Sequence, residues 1–428
     1  MFVHQNYDRQ GPQGEYECVR PTPADVVELI GEGRGSDRCA DGESRLEFER
    51  KREHDLRSSL LNSFEKLAAA GFRRVVLLRG TFVGADSFGM ARKLSRVWKR
   101  GAALLQSQAR RTIDHWAGDA GNFDNEDIEL LRSFAACAGL SLETLAWSGE
   151  NHHAGRADGA VRLIRRLYEL ESGATPERGR TILIGHSHGG NVIALASQLW
   201  SGDADRWSEL LRAARTLYRS PLHRLGGWFS RVDQPSWLWA LEYGAPRIDF
   251  RRCAVATLGA PVRYGWENCD DLLHFINHSP LPGSPPDEAW RVQFPPPLAS
   301  MLGAGGEDHQ DRLGERAPSI DPLQRASGGA GDIVQQLGVA GTNLSPTWLS
   351  YRVKLANRRL RPVLQPGIRR RDLLKRLRQG VRLHDHGLNL LVDYQLADQD
   401  ADDVLGHAVY TRRRWWAFHF RQLARRWA

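Results

Sequence analysis

An α/β architecture is what this 428-residue sequence predicts: a mainly parallel sheet flanked by helices, with helical lid-like insertions. Three observations predict it. Short apolar runs bounded by turn residues alternate with stretches of helical apolar spacing, the pattern of βαβ units, whose strands run parallel. The strand-like runs are apolar throughout, as strands covered on both faces are. One of them, Thr181-Ile182-Leu183-Ile184, runs into a serine set among glycines, Gly185-His186-Ser187-His188-Gly189-Gly190, and then into a helix.

Along the chain, residues 1 to about 50 are polar and rich in Gly, Asp, Glu and Arg, which predicts a loose arm. The remainder, 51–428, reads as one α/β domain with insertions at about 85–140, 200–242 and 280–385. Leu56, Leu60, Leu61, Phe64 and Leu67 recur at helical spacing up to Gly71, a residue suited to end a helix. Val75-Val76-Leu77-Leu78 is a buried strand leading to Arg79-Gly80-Thr81. The 85–140 stretch reads as helical with a polar face, an excursion able to cover a site. A strand at 142–147 ends in Trp147-Ser148-Gly149 and precedes a helix carrying Val161, Ile164 and Leu167. After the 181–184 strand, Val192, Leu195 and Leu199 mark the next helix. The tryptophans at 200–242 belong to a lid or to a helical packing layer. Strands follow at 254–258 and 272–276, the Pro- and Gly-rich stretch from Pro280 to about 330 is loop, and 350–383 is Arg-rich and partly helical. The last strand is Leu388-Asn389-Leu390-Leu391-Val392, with a terminal helix starting near Arg412.

Composition narrows the function classes. The apolar fraction of 41% supports a sizeable core. The formal charge of +8 looks like a signal for nucleic acid, but only six of the 59 basic residues are lysine and acidic residues are interspersed, so no nucleic-acid partner is expected. The five cysteines (Cys18, Cys39, Cys137, Cys253, Cys269) form no C-x-x-C pair, which points away from a disulfide framework or structural zinc. The start shows no signal-peptide pattern and no run approaches membrane-spanning length, so a cytoplasmic location is expected. His384-Asp385-His386 and His152-His153 lack the spacing of metal ligands and read as ordinary histidines, with no metal or other cofactor expected. The run from Arg369 to Arg378 reads as a solvated helix face that leaves peripheral contact with acidic lipid open. Trp415, Trp416 and Trp427 read first as core, then as an interface or membrane-facing patch.

The glycine-flanked serine carries the chemistry. A nucleophile on a sharp strand-to-helix turn needs neighbours without side chains two positions either side, and Gly185 and Gly189 supply them. The stretch reads as the nucleophile elbow of an α/β-hydrolase, with Ser187 the expected nucleophile. A serine hydroxyl reacts only when a base takes its proton and a carboxylate orients that base. In this fold the chain order is nucleophile, acid, base. Of fifteen histidines, His186 and His188 sit in the elbow and cannot fold back onto Ser187. After the last strand only His407 and His419 remain, and His407, in a loop beside Gly406, is the better base. For the acid, Asp332 after Gly331 is preferred, Asp393 at the end of the last strand is the alternative, and Asp287 in a Pro-rich loop is a third choice. The oxyanion would be held by the amide of His188, the residue after the nucleophile, and by Thr81, whose hydroxyl could add a third donor beside Gly80.

Together, the Gly-His-Ser-His-Gly-Gly-Asn elbow, the Arg79-Gly80-Thr81 turn, Trp147-Ser148-Gly149 and Leu258-Gly259-Ala260-Pro261 resemble bacterial lipase/esterase-like α/β-hydrolases. The Arg-Gly-Thr and Gly-His-Ser-x-Gly-Gly features are similar to those of the class 3 (fungal-type) lipases. The resemblance spans roughly residues 70 to 280 and the stretch containing His407. It implies a serine esterase or lipase acting on a small-molecule or lipid ester through an acyl-enzyme. An acyltransferase and a non-catalytic scaffold used for binding are the alternatives. One departure stands out: such lipases usually place an aspartate directly after the strand matching 272–276, whereas this chain reads Asn277-His278-Ser279-Pro280.

Overall fold

The computed structural model describes residues 15–21, 42–80, 123, 125–147, 149, 152–172, 179–200, 203–218, 234–244, 250–278, 331–332, 335, 351–364, 383–394 and 407–428. Seven strands form one sheet: β1 (Tyr16–Val19), β2 (Phe72–Leu78), β3 (Ser141–Leu145), β4 (Arg180–His186), β5 (Cys253–Leu258), β6 (Leu272–Asn277) and β7 (Leu388–Val392). Their order across the sheet is β1-β7-β6-β5-β4-β2-β3, and every neighbouring pair is parallel.

Parallel strands need crossovers, and the crossovers here are helices that cover both faces. On one face lie α1 (Gly42–Ala69), α2 (Asn125–Cys137) and the C-terminal α8 (Trp416–Trp427). The other is covered by α3 (His153–Ser172), α4 (His188–Leu199), α5 (Ala204–Tyr218), α6 (Gln234–Tyr243) and α7 (Tyr351–Leu364). The alternation along β2 divides the core: Val75 and Leu77 pack under the first layer, Val76 and Leu78 under the second. All four are essentially inaccessible, which accounts for the unbroken apolar run in the sequence.

The polar composition predicts a loose arm up to residue 50, yet Tyr16–Val19 forms a strand along β7 and α1 already runs from Gly42. Edge strands need only one neighbour and can stay exposed, so this one leaves no apolar run to read. Of the 85–140 excursion, residues 81–122 lie outside the described residues. Within it, α2 buries Ile128, Leu131 and Ala135 in the core, as a layer helix does. The tryptophans of 200–242 also belong to a packing layer: Trp200, Trp207, Trp237 and Trp239 are buried, and Trp237 donates through Nε1 to Asp158 Oδ1 at 2.8 Å. Trp228 lies outside the described residues. The terminal helix starts at Trp416, after two short 3₁₀ turns at Ala408–Thr411 and Arg413–Trp415. Trp415, Trp416 and Trp427 are core. The Arg369–Arg378 run and Cys39 are outside the described residues, and the other four cysteines are free thiols. Among the described residues no helix is long and apolar enough to cross a membrane.

Candidate active site

From β2 the chain steps outward to β3, then crosses back to β4 on the other side of β2. Reversal of this kind opens a crevice outside the carboxyl ends of the two strands flanking it, where open parallel sheets bind ligands. Ser187 stands at the end of β4 and Gly80 just past the end of β2.

Ser187 has φ 52° and ψ −126°, a conformation an L-residue adopts at a cost of about 1–3 kcal/mol. Its surroundings enforce it. The Ser187 N–H donates to the Leu258 carbonyl at the end of β5 (2.8 Å), and its own carbonyl accepts from the Gly190 N–H (3.1 Å). A Cβ on Gly185 would lie 2.5 Å from the Gly190 nitrogen, and one on Gly189 would lie 2.5 Å from the Leu78 carbonyl oxygen. Both glycines are therefore required by backbone contact. Gly80 is required by the site: a Cβ there would stand 2.9 Å from Ser187 Cβ and 3.0 Å from His186 Nδ1. His188 opens α4, so its amide belongs to the first turn, where N–H groups have no partner within the helix. Thr81 lies outside the described residues, as does Asp287.

His407 and Asp332, 75 residues apart, meet at 2.8 Å between Nδ1 and Oδ2. Asp332 is fully buried and held from three sides. Besides His407, the Tyr410 hydroxyl donates to Oδ2 at 2.9 Å and the Gln335 N–H to Oδ1 at 2.8 Å. Its backbone is pinned by an N–H bond to the Asn277 carbonyl (2.9 Å) at the tip of β6. Gly331 turns the chain there with φ 78°, and a Cβ on it would come within 2.1 Å of that same carbonyl oxygen. A returning segment thus carries a carboxylate to the strand end that in this chain reads Asn277. Asp393, the alternative acid, points elsewhere: it accepts from Arg20 Nε and Nη2 at 3.2 and 2.8 Å, at the β1–β7 edge. His419, the other candidate base, is buried in α8 with Nε2 2.7 Å from the Tyr394 hydroxyl.

His407 lies beside the elbow. Its ring centroid is 5.0 Å from that of His186, and its carbonyl accepts a 3.4 Å contact from His186 Nε2. No hydrogen bond joins Ser187 Oγ to His407 among the described residues; such bonds commonly tighten only with substrate bound. With Nδ1 assigned the proton and donating it to Asp332, Nε2 of His407 keeps its lone pair. Burial, with the nearby His407 second, lowers the His186 pKa to about 3, so this imidazole is neutral. Burial likewise takes His188 well below its usual value, helped by Arg156 and Arg263 and then by His407 and His186.

Sequence reasoning did not find Tyr410 or the role of Gly259. Tyr410 lies three residues after His407 on one 3₁₀ turn, a spacing that puts both side chains on one side. Its hydroxyl accepts from the Asn277 N–H (2.7 Å) while donating to Asp332. Burial and the Asp332 charge raise its pKa well above the usual phenol value, so it stays a donor. Gly259 has φ 60°, and a Cβ there would meet Tyr410 Cε2 at 2.3 Å and Asp332 Oδ2 at 2.6 Å. Its place in Leu258-Gly259-Ala260-Pro261 was the available signal.

The histidine pairs set aside in the sequence have structural partners. His384 accepts from Trp266 Nε1 at 3.3 Å and stacks on His274 with centroids 3.8 Å apart. His152 Nδ1 accepts from the Gly155 N–H at 2.9 Å, in the first turn of α3. Among the described residues no group of three or more His, Cys, Asp or Glu is placed to hold a metal ion. No protein-family model, curated protein or solved structure matches this chain.

Proposed function

We propose that the chain is a serine hydrolase of carboxylic esters built on the α/β-hydrolase fold. The observation that carries this reading is the strained backbone of Ser187 at the switch point, with the buried Asp332 at a neighbouring strand end hydrogen-bonded to the part-buried His407. A strained serine amid glycines is costly to keep without a use, and a carboxylate held by three donors suits the orientation of an imidazole.

In this reading Ser187 Oγ attacks the ester carbonyl while His407 Nε2 takes its proton. Asp332 holds the ring and stabilises the imidazolium that forms. Negative charge growing on the carbonyl oxygen is met by the amide of residue 188, and by Thr81 as the expected second donor. His407 then passes the proton to the departing alcohol, leaving an acyl group on Ser187. Water, deprotonated by His407, attacks that acyl group, and the acid leaves as Oγ recovers its proton. The neutral His186 beside His407 lets the imidazole charge without a second cation next to it. Small-molecule or lipid esters are the substrate class.

Fluorophosphonate labelling tests the nucleophile directly. The wild type should take one label at Ser187 and hydrolyse short-chain p-nitrophenyl esters. Ser187→Ala should lose both while keeping its circular dichroism spectrum. Full activity in that variant, or a folded wild type that neither labels nor hydrolyses any ester, refutes the proposal.

A further inference from the structure

A tryptophan that the hydrolytic reading does not use holds the backbone where β2 leaves the sheet. β2 and β3 are parallel, with Leu78 opposite Leu145, so the two strands end side by side. Arg79 and Gly80 continue the first, and Trp147 lies two residues past the end of the second. Across that gap the Trp147 indole N–H donates to the Arg79 carbonyl at 2.8 Å.

Packing fixes both partners of this bond. Trp147 is part of the buried second layer, and a Cβ on Gly159 of α3 would meet Trp147 Cβ at 3.3 Å and Val192 of α4 at 3.1 Å. The indole is therefore wedged where the helices that precede and follow β4 meet. The Arg79 carbonyl in turn lies against the elbow: a Cβ on Gly189 would stand 2.8 Å from its oxygen. The Arg79 side chain is held separately, at the surface, where Nη2 donates to Asn125 Oδ1 at 2.8 Å at the start of α2.

Peptide geometry carries the effect onward. The group joining Arg79 to Gly80 is planar and trans, so a held carbonyl also fixes the direction of the Gly80 N–H on the opposite edge. Gly80 has no room for a side chain, since it stands against Ser187 and His186, and glycine is the residue whose backbone turns most freely. Without a hold on the plane before it, such a residue lets the chain beyond it swing. That chain begins with Thr81, the expected second oxyanion donor. A donor lowers a barrier most when it already points at the place where charge develops.

We propose that Trp147 is a positioning residue: by holding the Arg79 carbonyl it orients the backbone that receives the oxyanion. This role rests on the reading of Ser187 as nucleophile.

Trp147→Phe keeps an aromatic ring and removes the N–H. Benzothienylalanine at position 147 keeps the double ring with sulfur in place of the N–H, and it carries the test if the phenylalanine variant does not fold. Trp207→Phe is the matched control: its indole donates to the Ala240 carbonyl at 3.2 Å, and it sits in α5, which begins only after α4 has run 12 residues away from the elbow. Turnover is read on p-nitrophenyl butyrate. Oxyanion binding is read with a butyl trifluoromethyl ketone, to whose carbonyl carbon Ser187 Oγ adds while its proton passes to His407, leaving a tetrahedral oxyanion. Loss of the Trp147 N–H should lower kcat by about tenfold, less than the roughly 10²–10³ of deleting a donor outright, with KM within about threefold. Affinity for the ketone should fall by the same factor as kcat. Trp207→Phe should keep kcat and ketone affinity within about twofold, whatever it does to the melting temperature. Unchanged kcat and ketone affinity without the N–H, a rise in KM alone, or an equal loss of kcat in Trp207→Phe overturns the positioning role. In each of these cases a wild type that takes the fluorophosphonate label keeps the Ser187 reading. A wild type that neither labels nor turns over any ester overturns the Ser187 reading, and the role of Trp147 with it.

Discussion

Replacing Tyr410 by Phe deletes one oxygen from a fully enclosed position, and the structure says what that oxygen does. It accepts from the Asn277 N–H at 2.7 Å and donates to Asp332 Oδ2 at 2.9 Å, with all three residues at most 2% exposed. Losing the acceptor leaves a buried amide unsatisfied, at about 1–3 kcal/mol, and losing the bond to a carboxylate costs about 1.5–3 kcal/mol. Both bonds share one oxygen and one neighbourhood, so the two costs are not independent, and about 3 kcal/mol of lost stability is the expectation. Asp332 keeps the Gln335 amide and His407, so ester turnover should fall by only about tenfold, from a less firmly held imidazole. Guanidinium unfolding followed by tryptophan fluorescence measures the first quantity, and kcat/KM on p-nitrophenyl butyrate the second. A stability loss under about 0.5 kcal/mol would mean that this hydroxyl does not hold the Asn277–Asp332 corner, and the account of how the acid is positioned would fall.

Other substitutions separate the remaining roles. Asp332→Asn should cut kcat by about 10³–10⁴-fold with the fold kept, whereas Asp393→Asn, which loses a pair with an exposed Arg20, should leave it within about threefold; equal effects in parallel assays would contradict the assignment of the acid. Gly259→Ala should destabilise by about 2–4 kcal/mol, because φ 60° and contacts at 2.3 and 2.6 Å leave no room for a methyl; a melting temperature equal to the wild type's would refute this. His186 and His419 are each held down to a pKa of about 3, chiefly by burial. Below the unfolded value near 6.5 the unfolded chain binds the protons that the folded one refuses, so stability should fall as pH drops from about 6.5 towards 3, by up to about 1.4 kcal/mol per unit for each. His419→Gln should flatten the loss between pH 7 and pH 5 in urea titrations, and an unchanged slope would count against it.

How far the site could be read in advance depended on where each constraint acts. The elbow was legible because its demands are local: Gly185 and Gly189 flank Ser187 within four residues, and the strand and helix on either side show as apolar runs of different period. His407 could be reached by chain order. The acid could not be chosen in the same way, since Asp332 and Asp393 both stand at plausible places. What separates them is that Gly331 docks on the Asn277 carbonyl while Arg20 claims Asp393, and neither contact leaves a local mark. β1 was missed for a related reason: an exposed edge strand has no buried face to give it a pattern.

By itself, the sequence determined the parallel sheet, the turn on which Ser187 sits and the glycines that make the turn possible, because apolar periodicity and backbone freedom act over a few neighbouring residues. Only the tertiary structure decided which carboxylate backs His407 and that Tyr410 braces it. Those groups come from segments far apart in the chain, and their meeting is set by strand order and by layers of packed helices, which no short stretch of sequence encodes.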